Sequence, residues 1–434
     1  MTASPPDLSF DLAIVGAGPA GMMAAIAAAQ DGARVAVCEQ LERPGVKLLA
    51  SGGGRCNLTN TLKTDDFMAR FGRQGRFMQP ALTLMDSSAL RQFLRKLGVA
   101  TASPDGFRVY PASNSSAQVQ RAIWQRCTAL KVTRLLDTRA TALVVDEGRI
   151  RGVRTDSSAI AAPRVVLATG GRSYPELGAT GSGYQLARQS GHTIVGPLPV
   201  LVPLITRETW PRECAGASLR GAHVWIESEH SRLGCVGDVL FTHSGLSGPA
   251  ILDLSRDVAP ILKQRGHAAI RMDLSLGTTA GQWLERFDTW QRRHGRRKVV
   301  NLLDDHLPAS LSRSLASLAG IPDDLTAALL NRAQRQALAN LLTGLPLTVV
   351  DTGGFKEAMI TRGGVNLREV DPNTLQSRLV RGLHFAGEVL DLDGPTGGFN
   401  LQWAFSSGWL AGTTCGQPHR AGGFLAVRRQ GTAT

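Results

Sequence analysis

The string GAGPAG at positions 16–21 constrains this chain more than any other feature, because of what stands on either side of it. A short apolar run over 11–15 precedes it, and an alanine-rich stretch of helical length follows as far as Gln30. After a break at Asp31-Gly32, a second apolar run over 33–38 ends at Glu39. Strand, glycine turn, helix and strand make a βαβ unit, the seed of a doubly wound parallel sheet. Within GxGxxG, Gly16 permits the tight turn and Gly18, beside Ala17, lets the backbone approach a pyrophosphate. Gly21 lets the helix lie close to the sheet, so that a diphosphate meets free amides and the positive end of the helix dipole. Glu39, 21 positions after Gly18 and followed by Gln40, is placed to accept hydrogen bonds from ribose hydroxyls. A structural loop would explain the glycines but not the strand, helix and acid around them. An acid at the ribose favours FAD or NAD over NADP and does not separate the first two.

A chain of 434 residues exceeds what one hydrophobic core supports, so two domains are expected, one inserted in the other. Runs at 142–145 and 150–153 around a turn predict a hairpin, and 164–168 a buried strand. The character changes over 193–346. There 224–227 and 268–272 read as strands, and 280–293, 310–318 and 325–342 have helical length and periodicity. Strand-and-turn patterning returns at 382–389, with a helix over 401–411. The expected organisation is therefore a discontinuous nucleotide-binding domain, 1–192 and 347–434, interrupted by an inserted mixed domain over 193–346.

The formal net charge is +13. Much of the excess lies in one run, Arg292, Arg293, Arg296, Arg297 and Lys298, on what read as two helix ends without interleaved aromatics, which favours a solvated face over a nucleic-acid patch. The six cysteines form no CxxC pair and no cluster at metal-ligand spacing, so no metal site is expected. Residues 1–10 lack a basic segment followed by an apolar one, and the small-apolar run 20–29 is too short to span a membrane. The expectation is a reduced, cytoplasmic protein without membrane contact.

Two later segments bear on the choice between FAD and NAD. The run VVLATGG at 165–171 is an apolar strand entering a small-residue turn, where Gly170 would let the chain pass close to a ligand. GLHFAGE at 382–388 ends an apolar strand on Gly387 and Glu388, an acid suited to a polyol chain. A glycine turn through Gly398 then enters a helix at Asn400 and Leu401, aiming free amides at a group that gains negative charge, as reduced flavin does. A glycine N-cap alone would not explain this second acid.

Five strings carry a family resemblance: GAGPAG, SGGGRCNLTN (51–60), LATGGRSYPELGATGSGYQLA (167–187), LFTHSGLSGPAILDLS (240–255) and GLHFAGEVLDLDGPTGGFNLQWAFSSGWLAG (382–412). Together, in this order, they resemble the bacterial aminoacetone-oxidase-like and dehydro-bile-acid-reductase-like FAD flavoproteins. The resemblance implies a Rossmann-like α/β FAD domain of glutathione-reductase type with a β-barrel-like and helical insert. It also implies FAD contacts at Glu39, Lys47, Asn57, the backbone near Ala140, Glu388, Asn400 and Leu401. Related flavoproteins usually carry Gly-Asp where this chain has Gly387-Glu388, so the ribityl contact would use a longer arm.

Around the triple glycine at 52–54, Arg55 is a candidate contact to an anionic substrate or flavin group. Cys56 has no resolving cysteine and reads as structural. His243 is a candidate proton donor from one of the family strings, although a lone histidine is more often structural. The flavin would carry the redox chemistry. With no second GxGxxG in the insert, NAD(P)H, if used, docks transiently. Three functions are expected to compete: an NAD(P)H-linked reductase of a small organic substrate, an oxygen-using amine oxidase of the aminoacetone type, and a tRNA-modifying or RNA-binding flavoprotein, with nucleic acid disfavoured.

Overall fold

The computed structural model describes residues 8–227, 234–275 and 277–416. At its centre lies a five-stranded parallel sheet in the order Leu383–Phe385, Val165–Leu167, Leu12–Val15, Val35–Cys38, Thr133–Leu135. The three inner strands are apolar along their length because both faces are covered, whereas the edge strand Thr133–Leu135 is partly exposed. The glycine string sits where the sequence puts it, between the strand Leu12–Val15 and the helix Pro19–Gln30. The last strand comes from the far end of the chain and completes an edge of the sheet.

The helix Pro19–Gln30 packs along the helix Phe399–Gly416, and both are buried nearly all round. A Cβ at Gly408 would stand 2.2 Å from the Ala20 carbonyl oxygen, and one at Gly412 2.3 Å from that of Ala24. Small residues at this contact allow the backbones to approach, and burial on nearly every side is why neither helix shows an amphipathic stripe. The first and last described parts of the chain are thus locked together at the sheet.

The predicted hairpin forms as Ala140–Asp146 with Arg149–Thr155, in a four-stranded sheet. Between them, the two ends of the chain enclose a closed six-stranded antiparallel barrel, ordered Leu204–Thr206, Gly245–Ser247, Gly234–Phe241, Ser218–Ile226, Ala268–Asp273, Leu345–Thr352. Helices Ala280–Arg293 and Ala309–Leu318 follow the expected lengths. The helix expected over 325–342 is instead broken: a 3₁₀ turn, Ala327–Leu329, precedes a new helix, Arg332–Gly344. Asn331 starts that helix by capping it, its side chain accepting from the Gln334 amide while Gln334 answers at the Asn331 amide. Periodicity continued across this cap, so pattern alone merged the two pieces.

Two apolar cores result. One holds Ile14, Val37, Val166, Phe385 and Trp403 around the parallel sheet; the other holds Val224, Phe241, Ile270, Phe287 and Leu338 in and around the barrel. Among the described residues, no helix is long and apolar enough to cross a membrane.

Candidate active site

Gly16 and Gly18 open a cavity of about 690 Å³ that runs from the start of helix Pro19–Gln30 to the start of helix Phe399–Gly416. That volume lies in the upper part of the range of about 300–1,000 Å³ usual for ligand sites. Gly16 adopts φ +101°, and a Cβ there would stand 2.6 Å from the Ala168 carbonyl oxygen. Gly21 does not line the cavity. It lies behind the turn, where a Cβ would collide with the Gly16 carbonyl at 1.9 Å.

Glu39 forms the wall beyond this turn. Its carboxylate accepts from the Ala17 amide at 2.7 Å and the Leu41 amide at 3.0 Å. Burial pushes its pKa up, and these amides pull it down. Each oxygen keeps a further lone pair for a ribose hydroxyl. Ala17 therefore acts through Glu39 rather than from the cavity wall. Gln40, also on the wall, donates to the Gly178 carbonyl at 2.6 Å and closes this end, with Ala140 and Gly170 lining the cavity nearby.

Glu388, also on the cavity wall, is reached from three directions. Lys47 Nζ lies 2.8 Å from one oxygen; the Thr361 amide, at 2.8 Å, and the Ser173 hydroxyl, at 3.3 Å, approach the other. Gly387, at φ +77°, turns the chain so that this acid faces the cavity.

The far end is built from a loop, 393–398, leading into helix Phe399–Gly416. Gly398 lies at φ +85°, with Thr59 so close that a Cβ would meet its carbonyl oxygen at 2.4 Å. The Asn57 amide, with its oxygen toward Gly398, accepts from that residue's N–H at 3.0 Å and donates to Thr59 O at 3.1 Å. The Asn400 side chain is occupied with the loop, accepting from Gly394 N at 2.8 Å and donating to Gly394 O at 2.9 Å. What Asn400 and Leu401 present to a ligand is therefore backbone at a helix start, where amides have no partner within the helix.

Arg55 lines the same end, exposed, its guanidinium 5.1 Å from the centre of the Tyr110 ring. Cys56 is buried, and burial pushes its thiol up to about 12, which suits a structural role. His243 is not brought to the cavity: it stands exposed in the turn between strands Gly234–Phe241 and Gly245–Ser247. A short polar turn in a family string signalled proximity that the barrel's closure does not provide. Arg108, Tyr110, Pro249 and Leu252 do face the cavity, and sequence reasoning passed over them. Pro249 and Leu252 begin the helix Pro249–Arg265 of the interrupting segment and bring it against the nucleotide-binding part. The basic run at 292–298 is solvent-exposed apart from Gly295, with Arg297 paired to Asp305 at 3.1 Å.

The sequence profile of the HI0933-like protein Rossmann domain matches residues 10–414. The chain is 35% identical over 411 residues to a 3-dehydro-bile acid delta(4,6)-reductase of Clostridium scindens, covering 92% of this chain and 98% of that one. It is 33% identical over 404 residues to a ribosomal RNA dihydrouridine synthase of Escherichia coli, covering 92% and 96%. Among solved structures, the fold resembles a 3-ketosteroid-delta4-(5alpha)-dehydrogenase from Rhodococcus jostii (TM-score 0.53, 17% identity, 96% and 99% covered). It also resembles a flavocytochrome c3 fumarate reductase (TM-score 0.53, 19% identity, 95% and 78% covered).

Proposed function

This chain belongs to the HI0933-like Rossmann family and is an FAD-dependent oxidoreductase, and from that premise we propose that it reduces a carbon–carbon double bond conjugated to a carbonyl. The flavin half of this reading is carried by one continuous cavity with an acid at each of two stations, Glu39 and Glu388, and a helix start at each end; the double-bond half is supported by the relatives' names. Its volume and chemistry fit FAD: diphosphate at the amides after Gly18, ribose at Glu39, ribityl chain at Glu388, and the ring system at Asn57, Gly398, Asn400 and Leu401. This layout also supports the kinship of the flavin domain with the glutathione-reductase type.

Bound FAD would supply the hydride, with NAD(P)H, docking transiently, as the reductant that renews it, and the proton that completes the saturation would come from solvent at the exposed Arg55 end. The chain's own residues do the rest. The helix-start amides at Asn400 and Leu401 would hold the ring system and favour negative charge on it. Arg55 and Arg108 oppose charge developing on the substrate carbonyl oxygen. Pro249, Leu252 and Met359 supply apolar wall that keeps water from the reacting face.

Both curated relatives bear names that fit this chemistry. A delta(4,6)-reductase of a 3-dehydro bile acid and a dihydrouridine synthase each saturate a double bond near a carbonyl. Charge favours the RNA uracil as substrate. Arg55 and Arg108 line the substrate end of the cavity in a chain of net charge +13, while Arg43, Lys47 and Arg139 stand by the nucleotide stations Glu39 and Glu388. The exposed run at 292–298 disfavours nucleic acid, and it is the charge of the cavity itself that supports the RNA reading.

The test is direct. Purified protein is expected to be yellow and to release FAD on denaturation; recovery of NAD alone would sink the flavin reading. Given NADH or NADPH, ribosomal RNA should gain two hydrogens per modified uridine by nucleoside mass spectrometry. Turnover of a 3-oxo-4,6-diene steroid with inert RNA would reassign the substrate. Peroxide formation from aminoacetone and oxygen would favour the amine oxidase.

A further inference from the structure

Every residue of the loop 393–398 is held by a side chain from elsewhere or by the helix it leads into. Asp393, nearly fully buried, takes Arg256 Nε at 2.8 Å and Arg362 Nε at 2.9 Å on its two oxygens. Arg256 also donates to the Asp393 carbonyl at 2.9 Å, and Arg362 donates to the Arg256 carbonyl. Gly394 and Pro395 are tied to Asn400, Gly397 to Asn60 at 3.0 Å, and Gly398 to Asn57. Thr396 is the remaining link. Its amide donates to Asp253 Oδ1 at 2.6 Å and its hydroxyl to Asp253 Oδ2 at 3.0 Å.

Asp253 and Arg256 stand three residues apart on the helix Pro249–Arg265, and so on one face of it. One turn earlier the same helix places Pro249 and Leu252 on the cavity wall. Asp253 pays for its burial in a raised pKa, relieved in part by the two Thr396 bonds. An exposed ion pair would fix little, but Asp393, buried, and Asp253, half-buried, are each multiply bonded and so set geometry.

We propose that Asp253, with Arg256, is a positioning residue through which the barrel-bearing segment sets the loop 393–398 and hence the amides that face the flavin ring. The segment that closes over the substrate end and the loop that shapes the cofactor end then move as one body. The loop-holding part stands on the hydrogen bonds alone; the flavin part rests on the function proposed above.

The test uses the full chain and the variants Asp253→Ala, Asp253→Asn and Thr396→Val. Amide hydrogen exchange over 393–398 is measured on FAD-free protein, FAD affinity by flavin fluorescence, and the midpoint potential of the bound flavin by spectroelectrochemistry. Asp253→Ala is expected to speed exchange in the loop and weaken FAD binding by about tenfold, the loss of charge-assisted bonds. Asp253→Asn, which still accepts from the Thr396 amide, should restore both to within about threefold, with a flavin potential closer to wild type than that of Asp253→Ala. Thr396→Val, which keeps the amide bond, should shift exchange in the same direction by less, and stands in if Asp253→Ala does not fold. Wild-type exchange in Asp253→Ala and Thr396→Val overturns the proposal. Faster exchange in a protein whose wild type binds no FAD overturns the flavin reading and leaves the loop-holding role standing.

Discussion

Lys47 and Glu388 meet at 2.8 Å across 341 positions of chain, joining the first described part of the fold to the last inside the cavity. The pair is held in place by the Thr361 amide on the second carboxylate oxygen. Glu39→Ala and Glu388→Ala should each weaken FAD retention by about ten- to hundredfold, through loss of charge-assisted hydrogen bonds of about 1.5–3 kcal/mol. Lys47→Met should cost about tenfold, since Glu388 keeps its other donors. Titration of FAD into the apoprotein measures this, and unchanged affinity in both glutamate variants removes the argument for the site.

Gly398→Ala places a Cβ against the Thr59 backbone at φ +85° and should lower stability by about 2 kcal/mol or more, with loss of FAD. Gly98→Ala is the control. It has a similarly positive φ, +79°, open space around it and no place on the cavity wall, so only about 1 kcal/mol of backbone strain is expected. Thermal unfolding with and without FAD separates the two.

Substitution at the substrate end should divide binding of cofactor from turnover. Arg108→Ala is expected to lower kcat/KM by about ten- to hundredfold while FAD stays bound. His243→Ala, in an exposed barrel turn, should leave both unchanged. A large loss of turnover in His243→Ala alone would restore that residue as a proton donor.

Cys56 should resist alkylation at neutral pH, since burial holds its thiol at about 12. Peptide mass spectrometry after brief iodoacetamide treatment checks this. Rapid labelling at Cys56 with the fold intact would contradict the buried, structural assignment.

Acid sensitivity should have a source in His384. It is fully enclosed beside the Gly382 carbonyl and Cys415, and burial lowers its pKa from 6.5 to about 4. Because the folded-state pKa is depressed, the unfolded chain binds the proton first. The folded state is therefore unaffected above pH 6.5 and loses stability as pH falls from there toward 4, by up to about 3 kcal/mol. Denaturant unfolding across this window should show the slope, and His384→Gln should flatten it.

Much of the nucleotide-binding part was legible because its signals are local. The turn Gly16 to Gly21, the helix Pro19–Gln30 and the acid Glu39 lie within a few dozen residues, and each restricts backbone or charge by itself. The helix break at Asn331 was less legible, because apolar periodicity crosses a cap whose signal is only a short polar pair. Asp253 lies inside a string already recognised, yet its role depends on Thr396, 143 positions away.

The sequence by itself determined that two glycine-and-acid segments exist and what chemistry each can perform, since residue type dictates turn geometry, charge and hydrogen-bonding capacity. Tertiary structure alone decided which side chains share the cavity: it paired Lys47 with Glu388, left His243 outside, and drew Arg108, Leu252 and Asp253 toward the far end. The reason is physical. Propensity and charge act over one or two turns of chain, whereas these contacts are set by closure of the barrel and by the parallel sheet that takes its edge strand from the other end of the chain.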